Sequence, residues 1–157
     1  MTGLKTTYLG EFIAEIEQPT MVIGATPGGM RMIANVLGGV FEGPRVKGTV
    51  ARSGGDWLTV RADGSIAIDV RAAVTSHDGH MIYVSYCGRL VMPPEAMAAL
   101  GDPVATEKLD PSSYYFRTAP LFEAAMDGPY AWLNHVVTVG VGKLTPHGVQ
   151  YTIHQVL

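Results

Sequence analysis

A chain of 157 residues, 47% hydrophobic and 16% charged, is long enough to bury one real core and too apolar to be disordered. Its formal net charge is −3 and it has no run of Lys or Arg, which argues against nucleic acid or a membrane surface as partner. The single cysteine, Cys87, rules out an internal disulfide and a thiolate zinc site.

The first stretch, MTGLKTTYLGEFIAEIEQP, carries three glutamates and no long apolar run. Neither a signal peptide nor a membrane span is expected there, so a cytoplasmic location is the expectation. Within it, YLGEFIAEIE alternates Tyr8, Gly10, Phe12, Ala14 and Ile16 against Leu9, Glu11, Ile13, Glu15 and Glu17, the period of a half-buried strand. MVIGAT follows Pro19 and ends at a Pro-Gly-Gly turn. RMIANVLGGVFEG and RVKGTVA read as strands that glycines bend or bulge.

Next come two Asp-Gly pairs, Asp63-Gly64 and Asp78-Gly79, flanking the alternating run SIAIDVRAAV. Such pairs predict two-residue type I′ hairpins, whose central residues both need positive φ. That register places Asp56 and Tyr86 on either side of Arg71 in one row, with Asp69 beside it. Trp57, Ile66, Ile68, Val70, Val74 and Tyr83 then form the opposite face, and Cys87 falls with them. Two readings stay open: the apolar face is the core and the row is solvated, or the row lines a binding cavity.

Further on, PPEAMAALG and PLFEAAMDG each pair a leading proline with a trailing glycine, the signature of short helices over a barrel mouth or edge. SSYYFRTAPLFE puts Tyr115 and Arg117 on one strand face and Tyr114 and Phe116 on the other. An arginine flanked by aromatics suits a carboxylate or phenolate ligand, or a surface. YAWLNHVVTVGVGK alternates Trp132, Asn134, Val136, Thr138, Gly140 and Gly142, a face with room for a ligand, against Leu133, His135, Val137, Val139 and Val141, read as core. The C-terminal VVTVGVGKLT-PHG-VQYTIHQVL is a hairpin in which His154 could face a cavity.

Of the five histidines, His77 and His80 bracket a turn and could chelate, but no convincing metal site emerges. GATPGGM lacks the Lys-Ser/Thr of a phosphate loop, and no G-x-S-x-G or H-E-x-x-H occurs. No cofactor is expected, and any chemistry falls to proton transfer by Asp, Tyr, His or Arg. The fold expected is all-β, a closed antiparallel barrel with one or two short helical turns and a sandwich as second choice. A symmetric homodimer is the default assembly.

GGVFEGPRVKGTV, GGDWLTVRADGSIAIDVRAAVTSHDGHMIYVSYCG, YYFRTAPLFE and YAWLNHVVTVGVG follow one another in the order and spacing of a bacterial and fungal family, domain of unknown function 3237, which the chain resembles from about Tyr8 to Leu157. The resemblance implies a barrel similar to those of allene oxide cyclase and the dirigent proteins, which hold apolar or aromatic molecules inside. The expectation is then a cofactor-free isomerase, cyclase or lyase acting on a small aromatic or polyketide-like compound. Arg71 and Arg117 would hold an oxyanion, Tyr86 or Asp56 would move the proton, and Trp132 and Tyr115 would stack, with Asp69, Asn134 and His154 nearby. A non-catalytic carrier or sensor and a purely structural module are the alternatives.

Overall fold

The computed structural model describes residues 3–157. Its strands are β1 (Thr6–Ile16), β2 (Met21–Thr26), β3 (Gly29–Glu42), β4 (Lys47–Val50), β5 (Gly55–Asp56), β6 (Thr59–Val60), β7 (Ile66–Ser76), β8 (Met81–Val91), β9 (Tyr115–Ala124), β10 (Thr138–Thr145) and β11 (Gly148–Val156). Two short helices, α1 (Pro94–Met97) and α2 (Pro103–Glu107), join β8 to β9.

Hydrogen-bonded neighbours run β1-β11-β10-β9-β8-β7-β4-β3, and β3 returns to β1 through pairs such as Phe41↔Phe12. That pairing shuts the ring into a closed antiparallel barrel of eight strands, with three extra ones. Closure leaves the ring without an open edge, the outcome expected for a chain of many short strands. The extra strands are β2, a flap on β3, and β5 and β6, which continue the β4 position between β3 and β7.

One half of the interior is filled by aromatic rings. Phe12 meets Phe41, Tyr86 and Tyr151 at 6.3 Å between centroids, and Phe41 meets Phe122 edge-on at 6.1 Å. Each such buried ring is worth roughly 1.5–3 kcal/mol of transfer free energy. A β-bulge between Tyr8 and Gly10 lets Leu9 join Phe12 and Ala14 inside, so the β1 alternation holds only after the bulge.

Both Asp-Gly turns differ from the type I′ expectation. Only glycines have positive φ among the described residues, so neither aspartate takes the conformation that turn needs. Instead each loop has three residues and closes on the residue before it: Gly64 N–H donates to the Arg61 carbonyl, and Gly79 N–H to the Ser76 carbonyl, both at 2.9 Å. The glycines, at φ +82° and +88°, take the left-handed position that follows a type I turn. One extra loop residue shifts the register by one and reverses every facing. Asp56 therefore pairs with Val70, and so does Tyr86, while Arg71 pairs with Gly55 and Ser85.

Two other expectations change. PPEAMAALG forms α1, but PLFEAAMDG is mostly the end of β9, paired to β8 as far as Ala124↔Ile82. The inward series Phe116, Thr118, Pro120 and Phe122 keeps strand period through the proline. In YAWLNHVVTVGVGK, Ala131–His135 is a 3-10 turn and only Thr138 onward is strand. There Thr138, Gly140 and Gly142 face inward, whereas Val137, Val139 and Val141 are exposed. The reason lies on β9: a Cβ on Gly142 would come within 2.6 Å of the Phe116 ring, and one on Gly140 within 2.5 Å of Thr118 Oγ1. The neighbouring strand supplies the bulk that these glycines omit.

Candidate functional site

The other half of the barrel is open inside. A cavity of about 310 Å³ is walled by Val36, Ile66, Ile68, Val70, Phe116, Val149 and similar side chains. Met97, Leu100, Gly101, Pro103 and Thr106 from the α1–α2 segment line it too, with Thr145 at the end of β10 and Pro146 after it. Asp102 holds α2 in place by accepting the Val104 and Ala105 N–H groups at 3.0 and 3.2 Å.

Three groups in this apolar chamber can exchange protons: Asp56, Tyr86 and Tyr151. Asp56 sits where the ladder between β5 and β6 is interrupted. The Asp69 N–H donates to its Oδ1 at 2.9 Å, while Oδ2 receives no hydrogen bond from the described residues. Burial pushes this carboxyl up from its ordinary 3.8 to about 6. The Asp69 N–H and the Arg31 charge oppose that rise, and the Asp69 charge adds to it. Arg31 itself lies outside the cavity lining, its Nη1 donating to the Trp57 carbonyl.

Tyr86 and Tyr151 come from β8 and β11, with ring centroids 5.2 Å apart at 72°. Both are buried, at 5% and 2% exposure. Burial raises both phenols, the neighbouring Tyr86 raises Tyr151 further, and the Asp56 charge adds to both. They are therefore neutral hydrogen-bond donors at any ordinary pH. Phe116 meets Tyr151 edge-on at 5.2 Å and continues the aromatic wall.

The register shift divides the predicted row. Asp56 and Tyr86 come together inside, flanking Val70, but Arg71 and Asp69 point outward. Arg71 pairs with Asp69 at 3.1 Å in solvent, and its guanidinium lies 5.7 Å from the Trp57 ring centroid. The expectation that Asp56, Arg71 and Tyr86 share a face is thus corrected, as is the expectation of Trp57, Tyr83 and Cys87 on the apolar face. Tyr83 and Cys87 are exposed, and Trp57 does not line the cavity.

The remaining candidates also lie off the cavity. Tyr115 is exposed, with the Arg117 guanidinium 5.0 Å over its ring. Trp132 stacks under Arg45 at 3.5 Å. Asn134 is a structural clamp: its Oδ1 accepts the Ala124 N–H at 2.8 Å and its Nδ2 donates to the Ala124 carbonyl at 2.9 Å. His154 lies on the outer face against Tyr8, with centroids 5.9 Å apart. Among the described residues, no group of three His, Cys, Asp or Glu side chains could hold a metal.

Sequence reasoning passed over Tyr151. The signal was present, since Val149, Tyr151 and Ile153 share one parity in VQYTIHQV and His154 has the other. A tyrosine on an apolar face reads as ordinary core, and only the barrel's closure brings it against Tyr86.

A family model described as "Protein of unknown function (DUF3237)" matches residues 4–156. The chain belongs to the DUF3237 family. A UPF0311 protein of Rhodopseudomonas palustris is 33% identical over 156 residues, covering 98% of this chain and 97% of the relative. A crystal structure described as a beta-barrel like protein, from Acinetobacter baumannii AYE, has a TM-score of 0.83 at 29% identity, covering 100% of this chain and 98% of that one. The family's barrel extends further: a structure described as an enzyme from Penicillium herquei has a TM-score of 0.68 over 100% of this chain and 97% of that one. At 20% identity that likeness shows the fold alone. Among the described residues no helix is long and apolar enough to cross a membrane.

Proposed function

We propose that this DUF3237 barrel binds a small aromatic or polyketide-like molecule in the cavity and moves a proton on it, as a cofactor-independent isomerase, cyclase or lyase. One observation carries the reading. A carboxyl poised near pH 6 and a pair of neutral phenols open into the same apolar chamber. A general base works best when its pKa lies near the operating pH, and burial supplies that shift here. Asp56 as carboxylate would accept a proton from carbon. The electron pair left behind would move onto an adjacent oxygen, where a phenol O–H stabilises it. Returning the proton elsewhere isomerises the ligand; expelling a group or closing a ring from the same intermediate gives the other two outcomes.

The test uses 2-tetralone, an aromatic ketone with acidic C–H bonds, in D2O. The protein is expected to speed deuterium uptake at C1, and Asp56→Asn to lose at least 100-fold of that acceleration, the low end of general-base contributions of about 10²–10⁴. Binding without accelerated exchange would overturn the catalytic reading in favour of a carrier. Equal rates in Asp56→Asn and the parent would remove Asp56 from the role.

A further inference from the structure

The cavity wall holds one acidic side chain, two phenols and no Lys or Arg. Arg31 and Arg71, next in the chain to the lining residues Met32 and Val70, lie on the outer side of the sheet, one bonded to the Trp57 carbonyl and the other to Asp69. We propose that the cavity selects by charge: it takes an uncharged two-ring molecule anchored through one carbonyl-type oxygen and rejects carboxylates and phosphates of the same shape. The inference rests on the ligand-binding reading above and names the chemistry of that ligand.

Hydrogen-bond capacity supplies the anchor. Each neutral phenol has one O–H to give. The two rings stand 5.2 Å apart between centroids and carry two O–H groups, of which a bond between their oxygens could use only one, so one is left for a ligand acceptor. An anion would find the same single donor but no cation to balance it in an apolar chamber, where an unpaired charge is poorly tolerated. It would also face Asp56. Two carboxylates sharing a small apolar space cannot both stay ionised, so an acid could enter only by holding a proton.

Asp56 Oδ1 is already taken by the Asp69 N–H, and the Arg31 charge behind it offsets part of its field. The groups that act on Asp56 are therefore Arg31 on β3, Asp69 on β7, and Tyr86 and Tyr151 across the cavity. The volume sets the size: about 310 Å³ equals the share of about ten waters, at about 30 Å³ each, which suits two fused rings. It also lies at the small end of ligand pockets, about 300–1,000 Å³.

The experiment is calorimetric titration of the full chain with two probes on one frame: 2-acetylnaphthalene and 2-naphthoate. At pH 8 the ketone is expected to bind, with the carboxylate at least tenfold weaker. At pH 5 the carboxylate should recover part of its deficit, because Asp56 then carries its proton. Tyr151→Phe and Tyr86→Phe each keep the ring and remove an O–H, and either should weaken the ketone about three- to tenfold. Two variants guard against one of them failing to fold. A carboxylate that binds as tightly as the ketone at pH 8 overturns charge selection, and unchanged ketone binding in both phenylalanine variants overturns the anchor. If no probe binds, and 2-tetralone does not either, the cavity is not a ligand site and the proposed function falls with the inference.

Discussion

Asp56→Asn replaces a buried acid with a neutral side chain that still offers an oxygen to the Asp69 N–H. Burial holds the Asp56 carboxyl at about 6 instead of 3.8. At about 1.4 kcal/mol per pH unit, ionising it in the folded chain costs about 3 kcal/mol more than in the unfolded one. Below pH 3.8 both states hold the proton and the cost is absent; that stability is lost as the pH rises through about 6. Asp56→Asn, which does not titrate, should therefore gain on the parent by about 3 kcal/mol between pH 3.5 and pH 8, most of it between pH 4 and 6. Urea unfolding at several pH values, followed by the fluorescence of Trp57 and Trp132, reads the difference. Taking it between variants cancels the other carboxylates. A gap that does not change with pH, or a parent that gains on the variant at pH 8, would refute the buried-charge argument.

Three further substitutions test the placement of side chains. Arg71→Ala should change stability by no more than about 1 kcal/mol, because its ion pair with Asp69 is exposed, and should leave 2-tetralone exchange intact. Loss of exchange with an unchanged melting curve would return Arg71 to the site. Asn134→Ala removes both hydrogen bonds to Ala124 and should cost about 1–2 kcal/mol in urea unfolding without altering ligand binding. Gly142→Ala places a methyl against the Phe116 ring, and should cost about 1–3 kcal/mol and weaken 2-acetylnaphthalene as the ring is pushed toward the cavity. A neutral Gly142→Ala would show that Phe116 moves freely.

The barrel was legible because its signals are local. Alternation in β1, β7 and β9 and the density of turn residues are short-range patterns, and they survive into the structure with small changes at a bulge and a proline. The site was legible only in part. Asp56 and Tyr86 stood out as polar groups on strands, but which face they share depends on whether each Asp-Gly loop has two residues or three. Asp63 Oδ1 accepts the Ser65 N–H at 3.0 Å, and Asp78 Oδ1 accepts the Tyr130 hydroxyl at 2.7 Å. These bonds act on aspartates that are not in the left-handed conformation, and Tyr130 lies 52 residues away. No local pattern reports such a contact. Tyr151 escaped for a related reason: its partner is three strands away in chain order and becomes a neighbour only when the ring closes.

The most direct test of the account is a crystal structure of the protein grown with saturating 2-tetralone. The account predicts the two rings inside the barrel, the ketone oxygen within hydrogen-bond reach of the Tyr86 or Tyr151 hydroxyl, and C1 facing the Asp56 carboxyl. An empty cavity with the ketone seated on the outer face beside Tyr115 and Arg117, or bound nowhere, would contradict it.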